Sequence, residues 1–322
     1  MNQVSNSERM DNEVFISSVT ARTIRQWCAP ETVLAVTNLV DEETILFHAI
    51  RYVGHKATKF ILVHVLQDRR KLSYGSNGFH FDWSDSSAES ALNSLNRIAR
   101  QLRWVGISCE SLLLRGSPAE EIAALAKARR VDRIVMTAWC EEKDKDPVPK
   151  ALAEVLLDKV GIPICIVGQS NRQKSQKNQP SGSIMLAVSL DSDSRTLLAF
   201  ASRLAQEYNS KLVVMHIFGP IDGDYSATDR TPTAVATRLP AEALKSAELS
   251  CPLEIAIREG DPASEILRFS SRAQQDFIIL GPTGRSHAPQ RGHTSLVHRV
   301  ITEAHCPVVI LGKACMESAK GY

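Results

Sequence analysis

Residues 281–300 read GPTGRSHAPQRGHTSLVHRV. Gly281 and Gly284 stand three apart. Without a Cβ, such positions let backbone approach a ligand closely and permit positive φ. Thr294 and Ser295 open an apolar-periodic run, so they sit where a helix begins. A helix N-terminus offers unpaired N–H groups and partial positive charge, which suits a phosphate. The two hydroxyls add donors, and Arg285, Arg291 and His293 make the intervening loop cationic. Elsewhere, Asp191 follows the apolar run SIMLAVSL, residues 183–190. A carboxylate there can accept from a ribose hydroxyl or an adenine amino group. The same residues also fit an ordinary strand-to-helix connection with a hydroxyl cap. Spacing alone leaves both readings open.

The elements around these residues alternate. SIMLAVSL, KLVVMHIF (211–218), LEIAIREG (253–260), DFIILG (276–281) and CPVVILG (306–312) are short apolar runs suited to buried strands. Between them lie helical patterns. SDSRTLLAFASRLAQEYN has apolar residues at Leu197, Leu198, Ala201, Leu204 and Ala205. TAVATRLPAEALKSAEL is interrupted at Pro240. DPASEILRFSSRAQQ starts with Asp261 as N-cap and Pro262 in the first turn, and TSLVHRVITEA covers 294–304. Strands that are apolar on both faces and alternate with helices predict a parallel sheet covered on each side. The fold class is therefore α/β, with a doubly wound five-stranded parallel sheet. Ligands of such sheets bind outside the carboxyl ends of the strands, where the winding reverses.

The pattern occurs twice. Leu34-Ala35-Val36 matches Leu186-Ala187-Val188 at a spacing of 152 residues. The same spacing brings Asp41 to Asp193, Lys59 to Lys211 and His64 to His216. At a spacing of 144, RGSPAEEI (115–122) lies over EGDPASEI (259–266), Asp132 over Asp276 and Gly168 over Gly312. Two ordered blocks of this length predict a duplicated domain rather than a solenoid. The expected division is an N-terminal tail (1–30), domain 1 (31–168), a polar linker (169–182), domain 2 (183–313) and a C-terminal tail (314–322). The 144 spacing puts Thr137, Cys140, Lys150 and Ala151 over Gly281, Gly284, Thr294 and Ser295. The 152 spacing puts Leu39 over Asp191. The loop 141–149 carries a net charge of −2, which repels phosphate. The first copy is thus read as unable to hold a nucleotide in the second copy's manner.

Composition narrows the partners. The chain has 322 residues, enough for two cores, and its formal net charge of +2 is too small to argue for nucleic acid or an anionic membrane. No run approaches the roughly 20 apolar residues of a membrane helix. MNQVSNSERMDNEV lacks the apolar stretch of a secretory signal. Seven cysteines, an odd number without paired CxxC spacing, read as reduced thiols. These readings make the cytoplasm the default compartment. His287, His293, His298 and His305 lack a carboxylate or thiolate framework beyond Cys306, so no metal site is expected. His64 and His216, at matching strand ends, are read as structural.

The two-copy chain, the strand end LAVSLD, the strand ending in MHI, and the GxxG loop before a helix and CPVVIL together resemble the universal stress protein family in tandem form. The resemblance implies an adenine-nucleotide α-hydrolase-like sandwich in each copy. It also implies ATP or another adenine nucleotide as ligand. The family's ATP-binding members carry G-x2-G-x9-G-S/T. Gly281, Gly284 and Ser295 match that motif, Thr294 replaces its third glycine, and Gly292 stands two residues early. Asp191 matches the family's carboxylate, with Ser189 and Leu190 just before it. Ile217 falls where an aliphatic side chain packs on adenine, and Leu296 follows the hydroxyl pair. The implied function is non-catalytic nucleotide binding or sensing in a stress response, through domain 2, toward an unknown protein partner. A pure interaction module without nucleotide and a slow nucleotide hydrolase remain the alternatives. The terminal strands GIPICIVG (161–168) and CPVVILG are read as edges whose antiparallel pairing would make the chain an intramolecular pseudo-dimer. Further association into a homodimer is left open.

Overall fold

The computed structural model of the protein describes residues 32–39, 59–66, 85–104, 106–137, 152–168, 181–190, 194–219, 228, 230–282 and 296–320. The expected N-terminal tail and nearly all of the expected linker lie outside them. The first half contains β1 (Thr32–Val36), β2 (Lys59–Leu66), α1 (Asp85–Trp104), β3 (Ser108–Arg115), α2 (Pro118–Ala128), β4 (Arg133–Thr137), α3 (Leu152–Lys159) and β5 (Ile164–Val167). The second half contains β6 (Ser183–Ala187), α4 (Ser194–Glu207), β7 (Lys211–Phe218), α5 (Pro232–Arg238), α6 (Ala241–Ser250), β8 (Leu253–Glu259), α7 (Pro262–Arg272), β9 (Phe277–Leu280), α8 (Leu296–Glu303), β10 (Val308–Ile310) and α9 (Lys313–Lys320).

The ten strands form one sheet in the order β3-β2-β1-β4-β5-β10-β9-β6-β7-β8. Every pairing within a half is parallel, and the winding reverses between β1 and β4 and between β6 and β9. The halves join where β10 runs antiparallel to β5, with Val309 opposite Cys165. Helices cover both faces, so the strand residues alternate between two apolar layers. Val33, Ala35 and Phe60 enter one layer with α1, α4 and α9; Leu34, Val36 and Ile61 enter the other with α2, α3, α7 and α8. Each fully buried aliphatic side chain contributes about 1.5–3 kcal/mol. The fold rests on this double layer rather than on any single contact.

Local signals place the elements. α7 starts where the sequence says. Asp261 is its N-cap and accepts from the Ser264 N–H at 2.9 Å, and Pro262 needs no N–H there. Gly116 and Gly260, which turn the chain from β3 into α2 and from β8 into α7, have φ of +142° and +133°. A side chain would strain both. α5 and α6 are separated at Pro240, whereas the matching α1 runs unbroken for 20 residues. α9 begins at the last residue of the expected domain 2 and takes up most of the expected C-terminal tail. Cys315, Met316 and Ala319 share one face of that helix and are fully buried. Residues 313–320 are too short and mixed for this to be legible as an amphipathic pattern.

The register corrects one part of the internal alignment. Thr32 N–H donates to the Asp132 carboxylate, and Ser183 N–H donates to that of Asp276. Thr32 pairs with Lys59, and Ser183 with Lys211. β1 and β6 are therefore related by 151 residues, although β2 and β7 are related by 152. The Leu-Ala-Val match is a coincidence shifted by one. Leu34 corresponds to Met185, and both face the same layer, whereas Leu186 faces the other. Side chains alternate with period two, so a shift of one moves every residue across the sheet. Leu39 then corresponds to Leu190, not to Asp191. The second copy gains one residue between Leu190 and Lys211. The 144 spacing holds for β3, β4 and β5 against β8, β9 and β10.

Candidate functional site at the second winding reversal

β6 and β9 are neighbours, with Ala187 beside Leu280 in the last paired register. The chain leaves β6 toward β7 on one side and returns through β9 on the other, so the reversal lies between these two carboxyl ends. Ser189 is exposed and Leu190 half-buried just beyond β6, while Gly281 is half-buried just beyond β9. Asp191, Gly284, Gly292, Thr294 and Ser295 lie outside the described residues, as do Arg285, Arg291 and His293.

The described residues divide between the two layers. Ile217, one residue before the end of β7, and Leu296, the first of α8, pack against the same apolar layer, together with Ala187. Leu190 packs against the opposite layer. Ile217 and Leu296 therefore lie on the same face of the sheet, and Leu190 lies on the other. Gly281 does not use positive φ. A Cβ there would lie 2.6 Å from Leu197 Cδ1 of α4. Its lack of a side chain thus answers helix packing as well as any ligand. Sequence spacing carried no signal for that contact, because Leu197 and Gly281 lie far apart in the chain.

The carboxyl end of β6 is pinned by hydrogen bonds to α4 and β7. The Ser194 hydroxyl, at the first residue of α4, donates to the Ser189 carbonyl at 2.7 Å. His216 Nδ1 lies 2.9 Å from the Val188 carbonyl oxygen. A carbonyl only accepts, so Nδ1 carries the proton in this bond. His64 makes the equivalent bond to Thr37 at 2.8 Å, which supports the structural reading of both histidines. His216 also meets the Phe218 ring edge-on at 4.6 Å. On the α8 side, Arg299 Nη1 lies 2.8 Å from Asp261 Oδ2, and its Nη2 donates to the Ser264 hydroxyl at 3.1 Å. These bonds fix the site's helix to the N-terminus of α7. Asp261 is held below its ordinary range. Burial, the largest influence, pushes it upward, but the Ser264 hydroxyl and N–H and the Arg299 guanidinium together outweigh it. The first half ties the same helix pair differently, through Lys159 and Glu120 at 2.8 Å.

At the equivalent end of β4, Thr137 is buried where the second half has Gly281. Cys140, Lys150 and Ala151 lie outside the described residues. Among the described residues, no three His, Cys, Asp or Glu side chains converge to hold a metal, and no helix is long and apolar enough to cross a membrane. Cys109, Cys165, Cys251, Cys306 and Cys315 are buried free thiols. Burial pushes Cys109 up to about 11 and raises Cys165, Cys251 and Cys315 as well.

Two doubly wound α/β halves, each with a winding reversal and joined into one sheet, define a tandem α/β sandwich protein. The model of the universal stress protein family matches residues 31–138 and 181–312. The chain belongs to the universal stress protein family and carries two copies of its domain. It is 26% identical over 143 residues to a universal stress protein of Methanocaldococcus jannaschii, covering 40% of this chain and 88% of the relative. A second universal stress protein of that organism is 40% identical over 55 residues, which span 17% of this chain and only 32% of the relative. Among solved structures, a universal stress protein from Archaeoglobus fulgidus DSM 4304 aligns over 88% of this chain and 98% of its own, at 19% identity and a TM-score of 0.62. A functionally unknown protein from Pseudomonas aeruginosa PAO1 aligns over 92% and 98%, at 18% identity and a TM-score of 0.59. These two likenesses show the fold alone.

Proposed function

We propose that the protein is a non-catalytic, cytoplasmic stress-response protein that senses an adenine nucleotide through its second half. In this reading residues 31–168 and 183–313 are the two domains, and 169–182 links them. One observation carries the proposal. The carboxyl ends of β6 and β9 lie side by side at the winding reversal, with Ser189 exposed and Gly281 bare of a side chain. This is where doubly wound sheets receive ligands. Asp191 would accept from the ribose hydroxyls, and Ser189 and Leu190 would flank it. Gly281, Gly284, Gly292, Thr294 and Ser295 would surround the phosphates, and Arg285, Arg291 and His293 would offset their charge. Ile217 and Leu296, which pack on the same face of the sheet, would supply an apolar surface to the ligand. The first half has a buried Thr137 at the glycine position and a net −2 loop, and it serves as the structural partner. Buried free thiols fit a reducing compartment.

The test is mass spectrometry of small molecules released from the purified chain, followed by titration of ATP, ADP and AMP. Wild type should bind at least one of them, and Asp191→Ala and Gly284→Val should each weaken it by roughly tenfold or more. Equal binding by all three proteins would move the site elsewhere. No binding by wild type would leave a pure interaction module. Phosphate release abolished by Ser295→Ala would make the protein a slow hydrolase.

A further inference from the structure

We propose that β8 is a self-complementary edge through which two copies of this chain pair, antiparallel and centred on Ala256. Among the described residues β8 ends the sheet, with β7 as its neighbour on one side. Leu212 N–H donates to the Pro252 carbonyl, and Gly260 N–H donates to that of Phe218. In a parallel pair the backbone groups alternate. The even-numbered groups of β8 therefore turn toward β7, and those of Leu253, Ile255, Ile257 and Glu259 turn away from it, to a side where no strand among the described residues pairs with them. A groove of about 500 Å³ runs beside residues 254–259, bounded by Arg230 and Pro232. Ile255 and Ile257 are half-exposed along it. Such an edge is a template for another strand.

The sequence LEIAIRE selects the occupant. Outward groups must face outward groups, so only some antiparallel registers are allowed. With Ala256 on the two-fold axis, all seven residues pair. Ile255 then lies opposite the partner's Ile257, and Glu254 lies opposite the partner's Arg258, each twice. Glu254 and Arg258 fall at the closely spaced, non-hydrogen-bonded positions, where cross-strand charges interact best. Ala256 meets its own copy at such a position, and its small side chain permits the approach. Moving the axis to Ile255 or Ile257 separates both charge pairs. The opposite edge of the sheet lacks this property. In β3, Glu110 and Arg115 have numbers of opposite parity, so no allowed self-pairing sets them face to face.

The unpaired chain guards its edge in a matching way. Arg258 Nη1 donates to the Ile257 carbonyl at 2.7 Å. In the pair, the N–H of the partner's Ile255 takes that carbonyl and frees the guanidinium for the partner's Glu254. Glu254, which is exposed and already 2.7 Å from Lys211, keeps room for a second cation.

Sedimentation velocity over a range of full-chain concentrations tests this. Wild type should show a reversible monomer–dimer equilibrium. Arg258→Glu alone and Glu254→Arg alone each place like charges opposite one another and should weaken the dimer by roughly tenfold or more. An equimolar mixture of the two variants restores both pairs across chains and should recover the dimer, which only folded chains can do. The double variant E254R/R258E should also remain dimeric. A wild type that stays monomeric would overturn the proposal. So would a dimer indifferent to Arg258→Glu, or a mixture no better than its components.

Discussion

A Cβ placed on Gly312 would lie 2.3 Å from the carbonyl oxygen of Leu157. The chain leaving β10 therefore presses directly on the last turn of α3, a helix of the other half. The contact recurs across the junction, where a Cβ on Gly168 would lie 2.4 Å from the Ile301 carbonyl oxygen of α8. Gly168 and Gly312, like Leu157 and Ile301, are partners at the 144 spacing. The junction is thus one contact made twice.

Replacing either glycine should be costly, because the atom met is backbone and cannot rotate away. Gly312→Ala and Gly168→Ala should each lower stability by about 2 kcal/mol. Urea unfolding of the full chain would read this as a lower midpoint. A loss below about 0.5 kcal/mol in both would mean that the junction accommodates a methyl group and is looser than described.

Gly281 faces a side chain instead. Gly281→Ala should destabilise by about 1 kcal/mol through its clash with Leu197. In a Leu197→Ala background the same change should cost markedly less, since the methyl group then enters the space that Leu197 vacates. A double-mutant cycle by thermal unfolding measures the coupling. Strict additivity would show that Leu197 is not the reason for a glycine there. Nucleotide titration of the same variants would separate packing from ligand binding.

Asp261 gives an acid limb with a defined sign. Its carboxyl is held below the ordinary value of 3.8, so the folded chain favours the carboxylate. That contribution is complete above pH 3.8 and is lost as pH falls through the lower folded value. The carboxyl is largely exposed, so screening keeps the effect to about 0.5 kcal/mol or less. Asp261→Asn retains the cap but not the charge. Its stability deficit relative to wild type should shrink as pH drops below about 4. A deficit that is constant with pH would assign the bond to Arg299 no electrostatic role.

Much of this architecture was legible in the sequence because it rests on local signals. Apolar runs such as DFIILG and CPVVILG, the N-cap Asp261 with Pro262, and the repeated turn before Pro118 and Pro262 all act within a few residues. What depends on register was not legible. The one-residue shift between β1 and β6 was hidden by the chance match of Leu34-Ala35-Val36 with Leu186-Ala187-Val188. The bonds of Asp132 and Asp276 to the strand starts, together with the pairing of Thr32 with Lys59 and of Ser183 with Lys211, expose it. The same limit applies to the site. Gly281 was singled out for its chemistry, but the contact with Leu197 that also requires a glycine joins segments distant in the chain. α9 was missed because three buried residues in eight make too weak a period.

The shift in register also sets a rule for anyone wishing to rebuild the first crevice in the image of the second. A graft copied by matching letters would carry each transplanted β6 residue to the wrong side of β1, turning intended lining into filling and filling into lining. A graft counted from Asp132 and Asp276 would keep inside and outside where the donor has them. It would also have to add one residue between Leu39 and Lys59, which makes chain length, not composition, the first thing to redesign.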